Sequence, residues 1–311
     1  MNLSSKVDLV GVGLNATDML IRLPHYPALG SKVEFRSAEI LPGGQVATAV
    51  AACQQWGLRT RYVGKIGDDN AATIHRAEFD RLGVETHLVT APGCASQQAV
   101  ILVDDAGERT VLWKRDNGLT LQPEELQPEW ITSARALHVD GHDTAAAVVA
   151  AGWARDAGLP VIADLDDLYP GVDALLEKID YLITSRDIPG RLTRHQNLRQ
   201  SLPEVCSRYG CRLTAATLGH EGVLAWDGTR FHYAPAFQVN TLDTTGAGDI
   251  FHAGFIYGLL QGWPLPRQLD FACAAAALNC TATGARGGIK SVEHIHEMVA
   301  SGSRLASAFD I

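Results

Sequence analysis

Two periods alternate along the chain. Short apolar runs closed by glycine or polar residues read as buried strands: "VDLVGVG" (7–13), "RTRYVGKIGDD" (59–69), "ARALHVDGHD" (134–143), "PVIADLD" (160–166), "DYLITS" (180–185) and "RLTAATLG" (212–219). Between them lie segments of helical character. They are "GGQVATAVAACQQWG" (43–57), stopped by Gly57, then "NAATIHRAEFDRLGV" (70–84), "TAAAVVAAGWARDAG" (144–158), "GVDALLEKI" (171–179) and "LRQSLPEVCSRYG" (198–210). Strands alternating with helices at this spacing predict right-handed βαβ units and a mostly parallel α/β sheet covered on both faces.

Two stretches break the alternation. "SKVEFRSAEI" (31–40) and "SQQAVILVDDAGERTVLWKRD" (96–116) read as antiparallel strands, the second a hairpin turning at "DDAGE" (104–108). Both flank the early glycine pair, which predicts a small β-sheet lid formed by about 14–41 and 96–118. No repeat, low-complexity tract or linker interrupts the chain, so the lid reads as an insertion into one domain spanning 1–311.

Composition narrows the classes of function. The 311 residues suffice for a full-sized core, and 46% hydrophobic with 20% charged residues argues against disorder. A net charge of −9 disfavours a nucleic-acid groove or an anionic membrane surface. No apolar run reaches the about 18 residues of a membrane span. The opening "MNLSSKVDLVGVG" runs straight into a strand without a signal-like apolar region, so a cytoplasmic location is expected. The six cysteines are scattered, and "CSRYGC" has no second pair to complete a zinc site, so buried free thiols are expected.

The candidate chemistry centres on "DTTGAGDIFHAGF" (243–255). If a strand ends near Val239–Leu242 and a helix begins near Gly248, the amides of Gly246, Ala247 and Gly248 are unpaired donors at a positive dipole end. Such a cradle suits a phosphoryl group in flight. Asp249, in the first turn, could then take the proton from an attacking hydroxyl.

This stretch resembles the C-terminal signature of the ribokinase-like (PfkB-type) carbohydrate kinases. The resemblance implies a three-layer α/β/α core with a lid, Asp249 as catalytic base, and Gly246, Ala247 and Gly248 as anion hole. A P-loop kinase is not supported, because G-x-x-x-x-G-K-[ST] is absent. "LPGGQVATAVAACQQWGLRTRYVGKIGDD" is similar to the family's first signature, with Gly43 and Gly44 expected to let a polyol approach bare backbone. Thr48 stands where the family usually has a sugar-holding Asn. "GLNATDM" resembles the family's early strand end, which implies that Asp18 accepts hydrogen bonds from sugar hydroxyls.

"TLGHEGVLAWDG" (217–228) resembles the family's nucleotide segment, implying ATP contacts at Thr217, Gly219 and Gly222. "FACAAAALNCTATGARGG" (271–288) resembles the helix and loop that wall the adenine, with Asn279 expected to face the base. The family's N-x-x-E is missing; "ITSRDIPG" stands there, so Mg²⁺ is expected to be held largely through water, with Ser185 and Asp187 offering oxygens. Asp243 and Thr245, with carbonyls near Gly284, correspond to the K⁺ site of some relatives. His138 and His142 end a strand where α/β ligands gather, though loop packing explains them as well. "HIH" (294–296) reads as a surface helix face.

The implied activity is ATP-dependent phosphorylation of a hydroxyl on a sugar or sugar acid. The motifs look most like the branch containing sulfofructose kinase, in which an acidic substituent could meet Lys32 or Arg115 of the lid. Two rivals stay open. A nucleoside kinase would want aromatic residues at the acceptor, where the lid offers mainly Phe35 and Trp113. A silent sugar-binding protein would not need the retained Asp249. Exposed lid edges further predict a homodimer through residues near 33–40 and 98–113.

Overall fold

The computed structural model describes residues 7–105, 109–307 and 309. The chain begins β1 (Leu9–Val12), β2 (Ala16–Arg22), β3 (Ser37–Gly43), α1 (Gln45–Gln55), β4 (Thr60–Ile66), α2 (Asn70–Leu82), β5 (Glu85–Thr90), β6 (Gln98–Val103) and β7 (Arg109–Lys114). The central part is α3 (Pro128–Thr132), β8 (Ala136–Asp140), α4 (Thr144–Asp156), β9 (Val161–Leu165), α5 (Val172–Leu176), β10 (Tyr181–Ser185), α6 (Ile188–Thr193) and α7 (Leu198–Tyr209). It closes with β11 (Leu213–Thr217), β12 (Val223–Trp226), β13 (Phe231–Ala234), α8 (Ala247–Leu260), α9 (Leu265–Asn279) and α10 (Val292–Ser301).

Nine strands form one sheet in the order β13-β12-β11-β10-β9-β8-β1-β4-β5. From β11 to β5 every pairing is parallel; only β12 and β13 run antiparallel at one edge. β1 shows why its sequence is apolar throughout. Leu9 points into the core under α1, α8 and α9, whereas Val10 and Val12 point into the core under α4 and α5. A strand buried on both faces cannot alternate polar and apolar residues.

β2, β3, β6 and β7 form a separate four-stranded sheet in the order β3-β2-β6-β7. Its outer pairs are antiparallel as expected, but the central β2–β6 pair is parallel, because the two strands come from opposite ends of a long connection through the main sheet. Residues 31–36 lie outside any strand; pairing with β2 begins at Ser37. The tip of the expected hairpin, 106–108, lies outside the described residues, as do residues 1–6 of the N-terminal reading.

No strand forms at Val239–Leu242 either. The amides of Leu242 and Asp243 instead donate to the Cys280 carbonyl beyond α9, at 2.8 and 3.3 Å, so the segment is held by a helix end and not by a sheet neighbour. All six cysteines are free, and five are buried. Among the described residues no helix is long and apolar enough to cross a membrane.

Candidate active site

α8 starts where the sequence runs out of side chains. Gly246 is its N-cap in the left-handed region (φ 75°), and a Cβ there would lie 2.4 Å from the Ala285 carbonyl oxygen. Only glycine fits that backbone contact. Gly248 differs: its φ is ordinary and a Cβ would meet nothing within 4 Å, so this glycine keeps the space in front of the helix open. The amides of Gly246, Gly248 and Asp249 have no protein partner among the described residues. Ala247 departs from the expected cradle, since its N–H donates to the Thr244 carbonyl at 3.2 Å in the turn that starts the helix.

Asp249 sits in this first turn. Burial, reinforced by the carboxylates of Asp164 and Asp18, pushes its acid well above the usual carboxylate range, while His252 and Arg286 pull the other way. His252, one turn later, engages the Gly248 carbonyl at 2.8 Å and lies 3.4 Å from Asp164. Its ring packs beside His138, whose Nδ1 faces the Ile162 carbonyl. His142 is a loop-packing residue whose Nε2 meets the Tyr169 hydroxyl at 3.0 Å.

One side of the α8 start opens on a cleft of about 270 Å³. Thr217, Gly219 and Gly222 line it from the β11–β12 turn, Ala247, Gly248 and Phe251 from α8, and Ala276, Ala277 and Cys280 from α9. Gly222 is also required by packing, for a Cβ there would fall 2.1 Å from the Ala234 carbonyl oxygen.

Asn279 is not part of this wall. It is fully buried; its Nδ2 donates to the carbonyls of Thr245 and Ala285 at 3.2 and 3.1 Å, and its Oδ1 accepts from Gly288. With both N–H donors taken and the side chain fully buried, it does not face the cleft. The small side chains of α9 make the wall instead.

The oxygens expected to bind K⁺ are likewise engaged. Asp243 accepts from the amides of Thr245 and Gly284 at 2.8 Å each, and the Thr245 carbonyl faces Asn279. The Asp243 carboxylate therefore ties two loops together. Among the described residues no three metal-ligating side chains cluster.

On the other side of Asp249 lies Asp18, buried in β2 with no hydrogen-bond partner among the described residues. Burial pushes its carboxyl up to about 6. Gly43 exists for this carboxylate: a Cβ there would fall 2.2 Å from Asp18 Oδ2. Gly44 (φ 93°) likewise admits the Asn15 backbone, so the glycine pair first serves approach of the chain to itself.

Thr48, fully buried in α1, accepts from Arg286 Nε at 3.2 Å. Arg286 escaped the sequence reading, although it stands inside the "GARGG" that follows the adenine helix; a basic residue between glycines was its only signal.

The two cations expected from the lid differ in place, Arg115 lining a small cavity with Asn15 and Gln97. Lys32 is exposed on the stretch outside the strands. Arg115 is engaged by Asp143 at 2.5 Å and by the Leu119 carbonyl at 3.1 Å. Asp187 is exposed and pairs with Arg191.

A helix start with unpaired amides and a half-buried carboxylate, between a small-residue cleft and a second carboxylate, has the parts of a phosphoryl-transfer site. Residues 12–291 match the family model for pfkB family carbohydrate kinases, and the chain belongs to that family. It is 25% identical over 319 residues to 5-dehydro-2-deoxygluconokinase of Geobacillus thermodenitrificans, covering 94% of this chain and 93% of that one. It is 31% identical over 277 residues to ATP-dependent ribose-1-phosphate kinase of Halopiger xanaduensis, covering 86% and 90%. The solved Arabidopsis thaliana ribokinase in complex with ribose and ATP shares the fold, with a TM-score of 0.81 at 24% identity over 94% of this chain and 98% of that one. The protein is thus a ribokinase-like carbohydrate kinase, a phosphotransferase with an alcohol group as acceptor.

Proposed function

We propose that the protein transfers the γ-phosphate of ATP to a hydroxyl of a sugar or sugar acid, with Asp249 as general base. The observation that carries this reading is the placement of Asp249 beside the free amides of Gly246 and Gly248, between the small-residue cleft and Asp18. ATP would lie in that cleft against Thr217, Gly219, Gly222 and α9, with its γ-phosphate at the amides. The acceptor hydroxyl would sit between Asp18 and Asp249. As it attacks phosphorus, the bond from the γ-phosphorus to the bridging oxygen breaks and ADP leaves; the hydroxyl proton passes to Asp249, while the amides receive the charge spreading over the transferred oxygens. An acid raised above the usual carboxylate range by burial suits a base that must take a proton and release it again.

Mg²⁺ bound with ATP would neutralise the β and γ charges. With no ligand cluster among the described residues, it would be held through the phosphates and water. Free thiols and dependence on ATP fit a cytoplasmic setting.

The four-stranded sheet would act as the lid of the acceptor site and as a dimer surface. Ile40, Met19, Val100 and Leu112 stand in register across its four strands, and Ile40 (54%), Met19 (39%) and Leu112 (57%) are exposed. A second copy covering this row would give a symmetric homodimer.

The test is an ATP-consumption screen across neutral sugars and sugar acids, with the Asp249→Asn variant alongside. Acceptor-dependent ADP release by the wild type and its loss in the variant is the expected result. Equal turnover by both would overturn the role of Asp249.

A further inference from the structure

Arg286 is a half-buried cation on which both carboxylates of the acceptor site act, and no motif explains it. Its Nε donates to Thr48 Oγ1 at 3.2 Å and its Nη2 to the Gly43 carbonyl at 2.9 Å. The guanidinium lies 5.7 Å from the centre of the Phe79 ring. Nη1 is buried and has no partner among the described residues. The charges of Asp18 and Asp249 both act on this group, and Gly43, which it holds, is the residue against which Asp18 packs.

A buried unpaired donor on a cation is costly unless something else completes it. Thr48 is short where the family pattern has a longer amide, and Arg286 reaches across from the loop after α9 into that space. The two departures are one arrangement: the loop side chain supplies the donor that α1 does not.

We propose that Arg286 is an acceptor-binding residue that replaces the α1 amide and reads an uncharged oxygen of the sugar next to the hydroxyl held by Asp18. Charge sets the chemistry. Thr48 takes the Nε–H and Gly43 one N–H of Nη2, which occupies one side of the fork and leaves the Nη1 end free. The charges of Glu78, Asp249 and Asp18 already act on the guanidinium. A further carboxylate there would add to an excess of negative charge, so the free end suits a carbonyl, ring or hydroxyl oxygen. The end of the acceptor that reacts is therefore neutral, with a hydroxyl toward Asp18 and a lone pair toward Arg286; an acidic group, where present, lies at the far end.

The proposal rests on the kinase reading above, and its test separates the two. The wild type, Arg286→Gln, Arg286→Lys and the Thr48→Asn/Arg286→Gln double variant are compared by steady-state kinetics in acceptor and in ATP. Acceptor binding without ATP is followed by titration calorimetry. Loss of one hydrogen bond to a charged group should raise the acceptor KM and Kd of Arg286→Gln by about 10- to 100-fold. The ATP KM should stay within about twofold, which also reports that the variant is folded. The double variant should regain most of the acceptor affinity, since the amide introduced on α1 then offers the missing donor, and Arg286→Lys should fall between. Unchanged acceptor constants in Arg286→Gln, equal losses for acceptor and ATP, or no gain in the double variant would overturn the proposal while leaving the kinase reading intact. A wild type that neither binds nor phosphorylates any sugar would overturn both.

Discussion

The two sides of Asp249 are built on opposite principles. On the nucleotide side the buried polar groups behind the cleft are satisfied internally: Asn279 makes three hydrogen bonds, Asp243 accepts two amides, and α9 gives the cleft wall only alanine and cysteine. On the acceptor side polar atoms are left open. Asn15 Oδ1, Gln45 Oε1, Gln97 Oε1 and Arg286 Nη1 are buried without partners among the described residues, and the Asp18 carboxylate has none there either. The first side is a finished surface up to the open amides at the start of α8. The second is an incomplete network that a molecule rich in hydroxyls completes.

The sharpest way to break this comparison is at the boundary. Asp249→Asn keeps the shape of the side chain and removes the base, and should lower kcat by about 10²–10⁴-fold. ATP binding, governed by the finished side, should be unchanged in calorimetry. Loss of ATP binding in this variant would mean that Asp249 organises the nucleotide cleft.

The glycines of the α8 start give the next largest effect, and they should separate. Gly248→Val adds a side chain into open space, so the protein should fold normally and lose most of its turnover through exclusion of the γ-phosphate. Gly246→Ala should lower the melting temperature, because its Cβ meets backbone at 2.4 Å in a left-handed conformation. A Gly248→Val enzyme with normal kcat would remove the anion hole from the mechanism.

Much of this was legible in the sequence, and what was not has physical causes. The alternating strands and helices and a helix starting near Gly248 follow from local patterns, while Thr217, Gly219 and Gly222, which line one cleft, were implied by the family resemblance. β5 was missed because "ETHLVT" is half-buried at an edge and carries no strong apolar run. The expected strand at Val239–Leu242 looked extended and apolar, but its amides found the Cys280 carbonyl. Asn279 and Arg286 exchanged importance for a tertiary reason. Asn279 turned inward to tie loops that are distant in sequence, and Arg286 reached Thr48, which stands 238 residues away. No local pattern encodes such a contact.

The small sheet extends the comparison to assembly. If its outer row is the dimer surface, Leu112→Glu should convert a dimer to a species of 33.4 kDa in light scattering. A charge placed directly opposite Val100, in a row that also holds Met19 and Ile40, cannot be buried without a partner. The row lies one position from the face that carries Asp18, so acceptor turnover should fall only if closure of the sheet needs the second copy. A wild type that runs as a monomer at micromolar concentration would rule the dimer out.

The mildest test uses pH to distinguish the two sides. Burial raises the Asp18 carboxyl to about 6, and the ionised form is the one that accepts sugar hydroxyls. As pH falls through that value the acceptor KM should rise, by about tenfold for each further unit. The ATP KM is the comparison over the same range, with His220→Gln as the control because His220 lines that cleft. Stability should move in the opposite sense. A carboxyl whose folded pKa lies above its unfolded value is easier to bury protonated, so its contribution is fully present below the unfolded value and is lost as pH rises through about 6. Acceptor-free protein should therefore gain stability from Asp18 on mild acidification while its sugar affinity declines. Asp18→Asn should abolish both trends, with weak sugar binding at every pH. An acceptor KM in the wild type that is flat from neutrality to below that pKa would show that Asp18 does not hold the sugar.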